Sequence, residues 1–161
     1  MLAACAGTGH PDDMAAVDPG DADAFARLIR DWRQGGTPRG VVFLWGLDCY
    51  ETDFLGSGGE APFKNHTAQA FLHLAQALAA QEDVPSVRLA ALTCQAQAAR
   101  ASDQPVPAQS LLWGLEKSVA NELGNIAPVI IDMDPVAAPE AQLPTLCGLL
   151  TARGYQEDKL A

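Results

Sequence analysis

A chain of 161 residues, 48% hydrophobic and 19% charged, is long enough for one buried core and too apolar for a disordered tail, so residues 1–161 are read as one domain. Twenty acidic residues against ten basic ones give a formal net charge of −10, which repels nucleic-acid phosphates and anionic headgroups alike, so neither nucleic acid nor membrane is an expected partner. No apolar run reaches the ~18 residues of a membrane span. The start, from Met1 to Cys5, lacks the basic segment of a secretion signal, and Cys5, Cys49, Cys94 and Cys147 form no Cys-x-x-Cys pair, so a reducing cytoplasm is the expected compartment. Met1 followed at once by Leu2-Ala3-Ala4, with no strand ahead of it, reads as a cut inside a longer polypeptide.

A short strand is expected around Met14 to Val17, then a helix from Asp21 to Gln34 with Phe25, Leu28, Ile29 and Trp32 on one face. Asp18 or Asp21 can cap it and Gly35-Gly36 can end it. Val41 to Leu47 is an unbroken apolar run, too short for a helix, and is expected as a strand covered on both faces. The stretch from Cys49 to Lys64 reads as irregular, with Gly56-Ser57-Gly58-Gly59 at a loop tip. A helix capped by Asn65 or Thr67 runs to Gln81, with Phe71, Leu74, Ala75 and Leu78 facing inward. Val87 to Thr93 is the next strand, and Gln95 to Gln104 is polar and irregular.

Pro105 and Pro107 precede a helix from Ala108 to Leu123, with Leu111, Leu112, Leu115, Val119 and Leu123 on its core side and Gly124 past its end. Val129 to Met133 is a strand that leaves through an Asp132-x-Asp134-Pro135 turn. The last helix, Gln142 to Arg153, carries Leu143, Leu146, Leu149 and Leu150 and stops at Gly154. Strands alternating with helices across short joints predict an α/β fold: a Rossmann-like parallel sheet with helices on both faces.

Several motifs look chemical and have simpler readings. Gly7-Thr8-Gly9 lacks the preceding strand, third glycine and following helix of a dinucleotide loop, and Pro11-Asp12-Asp13 puts negative charge where a phosphate would sit. Tyr155 and Lys159 have Tyr-x-x-x-Lys spacing, but Glu157 and Asp158 between them would raise the tyrosine's pKa. His66 and His73 can share a helix face, yet no third metal ligand accompanies them. Ser57 lacks the spacing of a nucleophile elbow. Cys49 sits at a strand end, where open sheets place ligands, but Glu51 and Asp53 oppose a thiolate. Asp132 and Asp134 could chelate a cation or serve as caps. Trp32, Trp45 and Trp113 read as core or interface anchors.

Three segments together resemble one family. They are Arg39 to Asp48 (Arg-Gly-Val-Val-Phe-Leu-Trp-Gly-Leu-Asp), Pro107 to Glu122 (Pro-Ala-Gln-Ser-Leu-Leu-Trp-Gly-Leu-Glu-Lys-Ser-Val-Ala-Asn-Glu) and Ile130 to Pro135 (Ile-Ile-Asp-Met-Asp-Pro). They are similar to the structural, non-catalytic subdomain of ketoreductases in type I modular polyketide synthases, over about Asp18 to Asp158. The helix of Leu112, Trp113, Gly114 and Leu115 is the most specific element, because Gly costs about 1 kcal/mol inside a helix and calls for something packed against it. The family's subdomain normally begins with a strand and helix upstream of residue 1, and the loop from Tyr50 to Lys64 carries no signature of it.

The resemblance implies a truncated short-chain-dehydrogenase-like fold with no cofactor of its own. Its partner would be a catalytic ketoreductase subdomain that binds NADPH and reduces β-ketoacyl chains on acyl carrier protein, with other synthase domains as neighbours. The chain would then not be catalytic alone, and Trp45, Leu112, Trp113, Gly114 and Leu115 are the candidates for partner packing. The alternatives are a small independent enzyme using a strand-end cleft near Asp48, Cys49 and Asp132, and a binding module that recruits a protein through an exposed sheet edge.

Overall fold

The computed structural model describes residues 3–5, 14–34, 40–48, 66–81, 86–151 and 159–160. Strands β1 (Ala3–Cys5) and β2 (Met14–Ala16) form a separate parallel pair. Next come helix α1 (Ala22–Arg33), strand β3 (Gly40–Phe43), a 3-10 turn (Trp45–Asp48) and helix α2 (His66–Ala79). The chain continues through β4 (Val87–Cys94), α3 (Pro107–Glu122), β5 (Ile126–Met133), α4 (Pro139–Thr151) and β6 (Lys159–Leu160). Strands β3 to β6 form one parallel sheet in the order β3-β4-β5-β6. Right-handed crossovers that step the same way place α2 and α3 on one side of it, where they share one core.

Asp21 caps α1: its carboxylate accepts from the Ala24 amide at 3.1 Å, while Asp18 accepts from the Gly20 amide at 2.8 Å and shapes the turn before it. The Ala24 amide, helped by the Arg27 guanidinium 3.2 Å away, holds the Asp21 carboxyl below the usual carboxylate range. Phe25 and Ile29 are buried, as their spacing predicts, and α1 packs on α2. The His73 ring tilts against Phe25, and its Nδ1 lies 3.2 Å from the Pro19 carbonyl, which can only accept, so that nitrogen carries the proton.

The main core lies between the sheet and its helices. Phe43, Val87, Leu89, Ala91, Ile126 and Ile130 meet Phe71, Leu74, Ala75 and Leu78 of α2 and Leu112 and Val119 of α3. Phe43 and Phe71 pack edge to face at 5.5 Å. Alternation turns Ala90, Leu92, Val129 and Ile131 to the opposite face, where they too are buried.

Four expectations need correction. The strand expected from Val41 to Leu47 stops at Phe43, and Val42 and Leu44 are 45% and 50% exposed, so this edge strand is not covered on both faces. Its second half turns into the 3-10 helix, with Gly46 pressed against β4. The strand expected from Val129 begins at Ile126 and tolerates Pro128. Val87 donates to the Asn125 carbonyl, so alternation points the Pro128 nitrogen away from β4, and the described residues of β6 pair with Ile130 and Ile131.

Thr67 lies inside α2 rather than capping it, while Asn65 falls outside the described residues. Helix α4 starts at Pro139, three residues before Gln142, runs through Pro144, and buries none of its residues. Proline suits a helix's first turn because the missing N–H has no partner there anyway, which is why Pro139 and, in α3, Pro107 begin their helices. Arg153 and Gly154 lie outside the described residues.

Candidate functional site

The polar groups of this fold converge where β4 and β5 end. Register places Thr93 beside Asp132. The buried Thr93 hydroxyl donates to Asp132 Oδ1 at 2.7 Å and accepts from the Trp113 indole N–H at 3.2 Å. Asp132 also accepts from the amides of Ala96 and Gln97, both at 3.0 Å. One carboxylate therefore serves three donors, and the loop after β4 is wrapped around it. This decides between the two roles open to Asp132: it holds a loop.

Helix α3 fastens the same loop from the other side. The Cys94 amide donates to Gln109 Oε1 at 2.6 Å, the Ser110 hydroxyl to the Ala96 carbonyl at 2.9 Å, and the Val106 amide to the Gln95 carbonyl at 2.8 Å. Gln95 is a non-glycine residue at φ 69, in the left-handed region, and the contacts on both sides of it hold that strained turn. Burial, then the carboxylates of Asp132 and Asp134, push the Cys94 thiol up, so it is a poor nucleophile.

Asp134 binds elsewhere. It accepts from the Arg100 guanidinium at 2.7 Å and from the Val136 amide at 2.8 Å, and the guanidinium is the chief reason its carboxyl is held below the usual range. Gln142 closes the turn, accepting from the Asp134 amide at 2.9 Å and donating to the carbonyls of Asp134 and Ala137. Between these groups lies a cleft of about 400 Å³ lined by residues that include Gln95, Gln97, Arg100, Met133, Asp132 and Asp134. Asp48 is exposed at the end of the 3-10 turn and is not part of the cleft, since β4 separates β3 from β5. Among the described residues no three His, Cys, Asp or Glu side chains are placed to hold a metal ion.

The candidates for partner packing face different ways. Leu112 is fully buried in the core. Trp45, half-buried, stacks near Phe25 and Phe43 with ring centroids 6.1 and 5.8 Å away. Trp113 and Leu115 are half-buried against the same core. Gly114 alone points outward: a Cβ built there would meet nothing within 4 Å.

Two residues escaped the sequence reading. Gly46 is one, since a Cβ there would overlap the Leu92 carbonyl oxygen and lie 3.0 Å from Leu112 Cδ1. Glu116 is the other, fully buried one turn beyond Leu112 on the same helix face. Only its position in the stripe of Ala108, Leu112 and Val119 gives it away. Cys49, Ser57, the Gly7-Thr8-Gly9 segment and Tyr155 lie outside the described residues, although β1 (Ala3–Cys5) is a strand just ahead of Gly7, where the sequence reading expected none.

A family model described as "Polyketide synthase extender module SpnB, Rossmann fold domain" matches residues 4–161. No curated protein matches the chain. Among solved structures, a C2-type ketoreductase from a modular polyketide synthase is 28% identical with a TM-score of 0.66, over 91% of this chain and 30% of that one. A multidomain structure of adenylation, ketoreductase and pseudo Asub domains from a keto acid-selecting NRPS module shares the fold at a TM-score of 0.74 and 13% identity, over 96% of this chain and 13% of that one. A short-chain dehydrogenase/reductase from Serratia marcescens BCRC 10948 shares it at a TM-score of 0.57 and 16% identity, over 91% of this chain and 74% of that one. The chain therefore spans less than a third of either module-derived structure. With its one-directional parallel sheet and a family match over nearly its whole length, the chain belongs to the Rossmann-fold domains of polyketide synthase extender modules.

Proposed function

We propose that this domain is the non-catalytic scaffold half of a polyketide synthase ketoreductase. It packs against and orders the NADPH-dependent catalytic half that reduces β-ketoacyl chains on acyl carrier protein. The observation that carries this reading is the 28% identity to a C2-type ketoreductase over 91% of this chain but only 30% of that one. Such a match leaves most of a ketoreductase outside the matched region.

The strand ends support it. Open α/β sheets bind ligands where successive crossovers diverge to opposite sides, and the order β3-β4-β5-β6 has no such switch point among the described strands. The carboxylate best placed for chemistry, Asp132, is committed to Thr93 and two loop amides. Gly114 supports it from the outside, because an exposed glycine inside a helix costs about 1 kcal/mol relative to alanine and no described residue packs on it. Close approach by a partner would account for that cost.

NADPH titration of the isolated domain, followed by nucleotide fluorescence, tests the cofactor-free part. The expected result is no saturation at micromolar nucleotide. Saturable micromolar binding would return the cleft near Asp132 to consideration as an enzyme site.

A further inference from the structure

Helix α4 is the helix that the described residues leave uncovered. None of its 13 residues is buried, whereas α3 buries Leu112 and Val119 and α2 buries Phe71 and Leu78. Leu143 is 50% exposed, Cys147 is exposed, and Leu146 and Leu150 are half-buried; their i, i+3, i+4, i+7 spacing puts them on one face. Val136, in the turn leading into the helix, is 84% exposed. Glu140 is the helix's one charged residue, on a chain whose net charge is −10. An apolar stripe so poor in charge marks a surface meant to be covered.

Resting on the scaffold reading above, we propose that the face of Leu143, Leu146, Cys147 and Leu150 is covered by the catalytic ketoreductase half of the same polypeptide. The size of the face selects that occupant. A helix of 13 residues is about 20 Å long, and a strip about 10 Å wide along it offers on the order of 200 Å². Free-standing interfaces take about 800 Å² per partner, so this face cannot hold an untethered protein. It suits a body held nearby at high effective concentration by the chain itself. A second copy is opposed by charge, because pairing would bring together two molecules of −10 each.

Cys147 is a native reporter at the centre of this face. Alkylation with iodoacetamide, read peptide by peptide by mass spectrometry, is compared between the isolated domain at two concentrations and the domain joined to its catalytic half. Cys94, half-buried with its thiol pushed up by burial, serves as the slow internal control. Cys147 is expected to react quickly in the isolated domain at both concentrations and about tenfold or more slowly in the joined protein. Equal rates in the two proteins overturn the proposal, and so does protection in the isolated domain that grows with concentration, which would point to a second copy. If small-angle scattering shows the joined halves packed as one body while Cys147 still reacts at the free rate, the α4 assignment falls and the scaffold reading stands. Halves that tumble independently overturn both.

Discussion

Gly46→Ala is expected to destabilise the domain by about 3 kcal/mol or more, a large part of the ~5–15 kcal/mol available to a domain of this size. The cause is local. The 3-10 turn brings the Gly46 backbone against the Leu92 carbonyl of β4, so an added methyl would overlap backbone rather than a side chain that can swing away. Leu112 Cδ1, 3.0 Å from the same point, blocks the remaining escape. Relief requires the turn to lift off β4, which separates Trp45 from Phe25 and Phe43. Gly114→Ala is the internal control with the opposite sign. Its methyl meets nothing, so helix propensity alone acts, and the isolated domain gains up to about 1 kcal/mol. Urea unfolding of both variants checks the pair, and a Gly46→Ala midpoint equal to wild type would contradict the packing described for the turn.

Asp132→Ala is expected to cost about 3 kcal/mol, because a charged acceptor is removed from three donors and one of them, the Thr93 hydroxyl, is fully buried. Asp132→Asn keeps one carbonyl oxygen and should cost about half as much. The damage should concentrate in the loop that Ala96 and Gln97 begin. Limited proteolysis is therefore expected to cut between Ala96 and Gln104 in Asp132→Ala well before global unfolding. A variant with wild-type stability and an uncut loop would show that Asp132 is not what holds it.

The elements legible in the sequence are those whose own periodicity matches a single buried face. Phe25 and Ile29 of α1, Phe71, Leu74, Ala75 and Leu78 of α2, and Leu112 and Val119 of α3 are of this kind, and all of them are buried. What stayed hidden depends on contacts between distant segments. Val41 to Leu47 reads as one apolar run and does not show that the strand ends at Phe43, and the backbone that Gly46 packs against, at Leu92, lies 46 residues further on. Asp132 reads as a cap or a cation ligand until the register of β4 against β5 sets it beside Thr93. Glu116 sits on the buried stripe of α3, but glutamate is so seldom buried that periodicity alone does not place it there.

The last helix errs the other way. Its leucine spacing predicts a core face, and the face exists, but the described residues do not bury it. Amphipathic spacing reports that a helix has an apolar side and is silent about which molecule buries it. The same holds for Gly114 on α3, whose cost is visible in sequence and whose partner is not.

NADPH-dependent reduction of a β-ketoacyl thioester by the separated catalytic half, measured with and without this domain, is the most direct test of the scaffold role. The domain alone should show no turnover, and adding it should raise the rate of the catalytic half by about tenfold or more as the competent fold becomes populated. A catalytic half that reduces its substrate at the same rate whether or not the domain is present would contradict the account.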